Sequence, residues 1–429
     1  MRVLSLITLL LAGSFLLPVS PAVAAIDPRI HTQYQRALQG VLSNVQPAGS
    51  VIASPSTSNP NYFYDWVRDT GLTMRALVGI AYDRKTAASV RAPLQQQIRA
   101  WISWELHRQE QNRLTGLGEP RFHLDGRVNE DPWGRPQNDG PAIRALTAMA
   151  VADQWIREGN LAGVKELLYA PALPARTLIK RDLEYVAHHW NEKSFDLWEE
   201  EQALHYYTLL SQYAALAKGS RLAKRLGDTG ASRYYEVQAR AIQSVLVQFR
   251  DPYSGAIRYA LDKSPGLPHK KSILDISVIL ALIQNFDGSF LESTDSAMTT
   301  LKELFRVFRF QYPVNRITHD ATGAPLGVAL GRYPEDIYDG NGFTGGNPWF
   351  LSTLAAAEFL CDLSHLRVGK KRDALMEIAL SQFNRVIFHL DAHGSMREQF
   401  NRETGYQQGA RDLTWSYVSY LTAYRACFP

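Results

Sequence analysis

The sequence predicts an all-α chain arranged as a toroid of two concentric helical layers. Three observations lead there. Some segments place apolar residues on one face only: Ile179, Leu183, Val186 and Trp190 recur at i, i+4, i+7 and i+11, and Leu94, Ile98, Trp101 and Ile102 do the same. Others are apolar nearly all round: Gly71 to Tyr82, with Arg75 the exception, Ala142 to Ala152, and Leu351 to Leu360. A helix apolar on every side is buried on every side. Third, the period-2 alternation of strands is weak everywhere, which disfavours an α/β chain. One-sided helices wrapped around fully buried ones make two layers. A solenoid would need a repeat of fixed period, and the sequence has none.

Composition sets the outer bounds. Hydrophobic residues are 45% and charged residues 21%, an ordinary globular balance. The net charge of +4 over 429 residues is too small to mark a nucleic-acid binder. Lys370-Lys371-Arg372 reads as a solvated helix start.

Taken in order, residues 1–25 read as a secretory signal peptide. Arg2 supplies the basic start, Leu4 to Leu17 the apolar run, and Ala22-Val23-Ala24 the small-residue cleavage site, so the mature chain is expected to begin near Ala25 or Ile26. The apolar run is short for a membrane span, and no later segment offers one. Residues 26–429 are expected to form one catalytic unit without an appended binding domain. Ala48 to Asn59 is Ser/Pro-rich, but it leads directly into an aromatic loop and reads as ordered. One-sided helices are expected over 94–105, with Arg99 and Glu105 on other faces, and over 179–190, 201–217 and 234–248. Cys361 and Cys427 leave two readings open, a disulfide or two buried thiols. The sequence contains no Asn-x-Ser/Thr acceptor.

Five loops combine aromatics, Gly, Pro and charges just before buried helices. Loops that need several such residue types are more often sites than connectors. They are Asn61 to Asp69, Asp131 to Pro141, Ser194 to Glu201, Gly331 to Phe350, and Glu398 to Phe400 followed by Arg411 to Tyr417. The third is the densest in acid: Asp196, Glu199, Glu200 and Glu201 flank Leu197 and Trp198. Carboxylates beside Trp and Tyr suit sugar chemistry. Aromatic rings cover the apolar C–H faces of a pyranose, and Asp, Glu, Arg and Asn bind its hydroxyl rim. Cleaving a glycosidic bond takes one carboxylic acid to protonate the leaving oxygen and a second carboxylate as base or nucleophile. Trp198 next to Glu199, with acidic neighbours, favours the protonated form of that residue. A plainer role for Asp196 to Glu201 is a helix cap, since acids favour a first turn.

Competing chemistries find little support. Gly340 to Gly346 is Gly-rich but no Gly-Lys-Ser/Thr follows, so a phosphate cradle is not expected. Neither His-Glu-x-x-His nor Cys-x-x-Cys occurs, so no metal is expected, and no Gly-x-Ser-x-Gly anchors a serine triad. No cofactor is implied, and a monomer is the default expectation.

The same loops resemble the glucoamylases of glycoside hydrolase family 15, fungal and yeast type. The resemblance rests on Ala53 to Thr57 with Tyr62 to Asp69, Gly134 to Pro141, Asp196 to Glu200, Gly331 to Asp336, Asn347 to Leu351, and Glu398 to Phe400 with Arg411 to Tyr417, all in the family's order. It implies an (α/α)6 barrel with the site at one end. The implied activity is exo-hydrolysis of α-1,4-glucosidic bonds, secondarily α-1,6, in starch, glycogen or maltodextrins, releasing β-glucose by inversion. Glu199 matches the general acid and Glu398 the general base. Inverting enzymes hold two such carboxyls roughly 6.5–9.5 Å apart with a water between. Tyr62 matches a residue that helps place that water. Arg68 and Asp69 match the pair on the terminal glucose, and Arg332 and Glu200 match contacts to the next one. Trp133 matches an aromatic supporting the acid and outer subsites. Trp66, Trp349 and Trp415 match pocket-lining rings, and Leu197 and Trp198 join the substrate-binding set. Against the family's longer members, the chain is expected to be without the Ser/Thr-rich linker and starch-binding domain, and its two cysteines are fewer than in the fungal pattern. Two alternatives stand beside this reading: a relative specific for α-1,6 or trehalose-type glucosides, and a toroid that binds glycans without cleaving them.

Overall fold

The computed structural model describes residues 27–111, 114–264, 266–285 and 291–429; the expected signal peptide lies outside them. Among the described residues, six helices form an outer layer: α1 (Pro28–Asn44), α3 (Ala88–Glu110), α5 (Leu178–His189), α7 (Thr229–Leu246), α9 (Leu291–Gln311) and α11 (Lys370–Phe388). They alternate along the chain with α2 (Val67–Ala81), α4 (Asp139–Arg157), α6 (Tyr206–Arg225), α8 (Ser277–Asn285), α10 (Phe350–His365) and α12 (Thr414–Cys427). Each of this second set packs on the next, and α12 packs back on α2, closing an inner ring. The chain is an (α/α)6 barrel.

The two layers differ in sequence for the reason expected. α1 buries Ile30, Gln33, Ala37, Val41 and Asn44, a single stripe at helical spacing. α7 buries Ser232, Tyr235, Ala239, Ile242 and Leu246. The inner helices are buried nearly all round; in α10 the run from Phe350 to Cys361 is buried without a break. Ala is frequent there because neighbours press from every side, and its small volume lets the helices approach.

Two expectations need correction. Residues 201–217 do not make an outer, one-sided helix. Gln202–His205 is a strand, and α6 after it belongs to the inner ring. Thr208, Ser211 and Gln212 give α6 its polar look, yet all three are buried, and Gln212 donates to the Asn138 carbonyl. Glu105 does not sit on a solvent face of α3 either. It is fully buried and pairs with Arg108 and Arg144; Arg144 also reaches Asp182 on α5, at 2.5 Å, and Arg108 reaches Asp65 at 2.6 Å. One charge at helical spacing reads as exposed because its partners lie far away in sequence.

Cys361 and Cys427 form a disulfide, with Cα atoms 5.0 Å apart, joining α10 to α12. No helix among the described residues is long and apolar enough to cross a membrane. The strands are short and lie in the loops: β1 (Asp65–Trp66) pairs across helices with β2 (Arg121–Phe122), β3 (Ser194–Phe195) forms a hairpin with β4 (Gln202–His205), β4 also pairs across helices with β5 (Ala260–Leu261), and β6 (Gln399–Phe400) forms a hairpin with β7 (Gln407–Gln408). Every loop singled out in the sequence leads into an inner helix: α2, α4, α6, α10 and α12. Because each inner helix is entered from an outer one, these loops gather at one end of the ring.

Candidate active site

Glu199 sits at the tip of the β3–β4 hairpin, not at a helix cap. The Glu199 amide donates to the Asp196 carbonyl at 2.9 Å, and the Asp196 carboxylate takes the Glu200 and Glu201 amides at 2.7 and 3.1 Å. The turn holds Glu199 at φ 68°, a left-handed conformation that costs a non-glycine residue energy. The Asp131–Pro141 loop braces it: the Phe195 amide donates to the Pro136 carbonyl at 2.8 Å, and a Cβ on Gly134 would stand 2.9 Å from the Glu199 carbonyl oxygen.

The Glu199 carboxylate gathers donors on one oxygen. Oε1 accepts from Trp66 Nε1 at 2.6 Å and Gln137 Nε2 at 3.0 Å, with Arg68 Nη2 at 3.5 Å. Trp198 donates no hydrogen bond to this carboxylate. Its indole N–H turns away to Asp275, at 3.1 Å, and Asp275 is in turn held by the buried Lys270 at 2.7 Å. Leu197 is buried in the core beneath the turn.

Glu398 immediately precedes β6 on the far side of the ring and is 1% exposed. Burial pushes its carboxyl up to about 8, against the pull of the Ala410 amide, Arg332, and the Tyr62 and Tyr338 hydroxyls. Tyr338 donates to Oε2 at 3.4 Å, and Tyr62 and Tyr338 share a hydrogen bond at 3.0 Å. Gly409, at φ 75°, passes so close that a Cβ there would collide with the Glu398 carboxylate. The two acids are linked across the ring end. Trp66 binds Glu199, the Tyr62 ring lies edge-on to Trp66 at 5.6 Å, and the paired hydroxyls of Tyr62 and Tyr338 lead to Glu398.

The charged residues around them are well fixed. Arg68, at the start of α2, donates to Gln137 at 2.9 Å and Asp139 at 3.1 Å, lies 3.6 Å from Asp69, and sits 5.7 Å from the Trp415 ring centre. Burial pushes Asp69 up to about 7. Arg332 donates to both oxygens of Asp336, at 2.8 and 2.6 Å, and to Glu200 at 2.8 Å, whose other oxygen takes the Tyr333 hydroxyl at 2.7 Å. Trp133 stacks under the Arg121 guanidinium at 3.7 Å and meets the Trp66 ring at 6.0 Å. Trp349 and Trp415 flank Trp198, at 5.7 and 6.3 Å.

All thirteen residues singled out in the sequence thus belong to this one end of the barrel. Sequence reasoning missed Gln137 and Asp139 as partners of Arg68, Asp336 as the clamp on Arg332, Tyr338 beside Glu398, and the Lys270–Asp275 pair behind Trp198. The first four lie in motifs that were read, and their polar side chains were the available signal. Lys270 lies in an unremarkable polar loop and gave none.

The arrangement has the groups that glycoside cleavage needs: two carboxyls from distant parts of the chain, an arginine–carboxylate pair near each, and several aromatic rings. Comparison with known proteins agrees. Residues 30–425 match the family model for glycosyl hydrolases family 15, and the chain belongs to that family. The glucoamylase of Blastobotrys adeninivorans is 36% identical over 422 residues, covering 87% of this chain and 66% of the relative, so the chain spans just under two thirds of that protein. An intracellular sporulation-specific glucoamylase of Saccharomyces cerevisiae is 29% identical, covering 94% of this chain and 84% of its own length. Among solved structures, the family 15 glucoamylase of Hypocrea jecorina superimposes with a TM-score of 0.82 at 30% identity, over 94% of this chain and 72% of that one. These findings support a glycoside hydrolase of the glucan 1,4-α-glucosidase class.

Proposed function

We propose that the chain is an exo-acting glucoamylase that removes glucose from the non-reducing ends of α-1,4-glucans, and secondarily α-1,6 links, with inversion. The observation that carries it is the linked pair Glu199 and Glu398, joined through Trp66, Tyr62 and Tyr338 at the loop-bearing end of the barrel. The terminal glucose sits against Arg68 and Asp69, and the next one against Glu200 and Arg332. Glu199 gives its proton to the glycosidic oxygen as the C1–O bond breaks. A water held by the Tyr62 and Tyr338 hydroxyls attacks C1 from the opposite side, and Glu398 takes its proton, leaving β-glucose. Glu199 suits the leaving-group side because its neighbour Glu200 binds Arg332. The Cys361–Cys427 disulfide supports export to an oxidising compartment, although one relative is named intracellular.

Proton NMR of the protein with maltotriose tests the reading: β-glucose is expected in the first minutes. Early α-glucose from the cleaved end means retention and sinks the mechanism. Turnover of isomaltose or trehalose in preference to maltose would move the substrate to the α-1,6 or α,α-1,1 class. Binding without turnover would make the chain a glycan-binding toroid.

A second reading exchanges the two roles, because burial favours the protonated form of Glu398. α-Glucosyl fluoride separates them, since its leaving group needs no acid. With Glu199 as acid, Glu199→Gln keeps turnover of the fluoride and Glu398→Gln loses it; the reverse pattern exchanges the assignment.

A further inference from the structure

The aromatic side chains of the site form a file that runs from floor to rim. Trp415 meets Trp198 at 6.3 Å, Trp198 meets Trp349 at 5.7 Å, Trp349 meets Tyr338 at 6.2 Å, and Tyr338 meets Phe343 at 6.3 Å. The three tryptophans are 6–8% exposed, Tyr338 is half-buried, and Phe343 is 73% exposed. The file therefore leaves the pocket at Phe343. Arg332 lies over the middle of it, 5.3 Å from the Trp198 and Tyr338 ring centres and 5.5 Å from that of Trp349. A bare phenylalanine ring on a polar loop is costly in water, and this one has its inner neighbour beside Glu398.

The loop that carries it is stapled, not slack. Asp339 takes the Asn341 and Gly342 amides at 3.1 and 2.6 Å and the Thr344 amide and hydroxyl. The Gly345 and Gly346 amides donate to the Ile337 and Asp336 carbonyls at 2.9 and 2.7 Å. Gln408, next to β6, donates to the Asp339 carbonyl at 2.6 Å. With these amides spent internally, the Gly-rich stretch offers no cradle for an anion. It presents one ring on a backbone held by hydrogen bonds, so little backbone entropy is lost when a ligand stacks there.

We propose that Phe343 is the stacking platform for a glucose unit beyond the two assigned to the pocket, and that it sets the preference for longer linear α-glucans. This rests on the glucoamylase reading above. A pyranose presents an apolar C–H face that a phenyl ring covers. The next unit outward from Arg332 and Glu200 is the one that reaches the end of the file.

The test is kcat and KM for maltose through maltopentaose with wild type, Phe343→Ala and Phe343→Tyr. In Phe343→Ala the ratio of kcat/KM for maltopentaose over maltose is expected to fall about 3- to 10-fold, mainly through KM. Phe343→Tyr restores the ratio, and the melting temperature stays near that of wild type because the ring is exposed. An unchanged ratio overturns the proposal, as does an equal loss on maltose, which would mean a disturbed Tyr338 and Glu398. If wild type cleaves none of these glucans, the glucoamylase reading itself falls; an active wild type with an unchanged ratio removes the subsite alone.

Discussion

Burial sets how reluctantly Glu398 ionises, and the Ala410 amide, Arg332, Tyr62 and Tyr338 ease it. Both hydroxyls favour its carboxylate while burial opposes it, and a general base must be ionised to act. Removing either hydroxyl raises the Glu398 pKa further. The ascending acid limb of kcat/KM is therefore expected to move to higher pH in Tyr62→Phe and in Tyr338→Phe; a limb that stays put or moves to lower pH would mean that Glu398 is not the base. The carboxylates themselves act in the transition state. Glu199→Gln and Glu398→Gln are each expected to lower kcat on maltose by about 10²–10⁴-fold with KM little changed. Full turnover in either variant would refute its role. At this scale the sequence was legible where a side chain stands inside a dense motif, as with Glu199, Arg68 and Trp66. It was not legible where a partner lies far off in sequence. Trp198 follows the turn toward Asp275 and Lys270, which lie more than seventy positions downstream.

Between elements, stability turns on polar groups that the amphipathic pattern does not reveal. Asp65, Glu105, Arg108, Arg144 and Asp182 form a buried ion network joining β1, α3, α4 and α5. Removing one partner leaves the others desolvated and uncompensated. Arg144→Met is expected to cost about 3–5 kcal/mol, read as a lower midpoint in urea; a loss under 1 kcal/mol would show that water or a rearranged Arg108 takes its place. The disulfide makes a different contribution. It closes a loop with a sequence separation of 66 between α10 and α12, so Cys361→Ser with Cys427→Ser is expected to cost about 2–4 kcal/mol. Both helices are inner and abut each other, and the double variant is expected to keep its maltose kinetics at temperatures where it stays folded. Which helices belong to the inner layer was readable for α2, α4 and α10 because their buried runs are apolar. It was not readable for α6, whose buried Thr208, Ser211 and Gln212 look like a solvent face; Ser211 accepts from Asn285 and Gln212 donates to the Asn138 carbonyl, partners that only the ring brings near.

The whole barrel buries carboxyl groups at both the site and the inner helices, and their pKa shifts add. Glu398 and Glu358 are pushed up to about 8, and Asp69 and Asp362 to about 7, in each case first by burial. Glu358 and Asp362 lie one turn apart on α10, so their like charges add to the shift. Each of the four holds its proton in the folded state at pH values where the unfolded chain has released it. Between about pH 4.5 and 8 the folded state binds more protons, so stability falls as pH rises. Two histidines act the other way: burial keeps His205 and His389 neutral when folded, His389 down to about 3, which adds stability as pH rises toward 6.5. Four carboxyls outweigh two imidazoles below that point, and nothing among these groups offsets the carboxyls above it. At the acid end, Asp251 and Asp320 are held low by hydrogen bonds in their turns, and their contribution disappears once they are protonated. The melting temperature is therefore expected to peak in mild acid, near pH 5, and to decline steadily toward pH 8. Glu358→Gln with Asp362→Asn should flatten that decline without touching the site end. A melting temperature higher at pH 8 than at pH 5 would mean that the buried carboxyls are ionised in the folded barrel, with Arg75 and water holding the charge on α10.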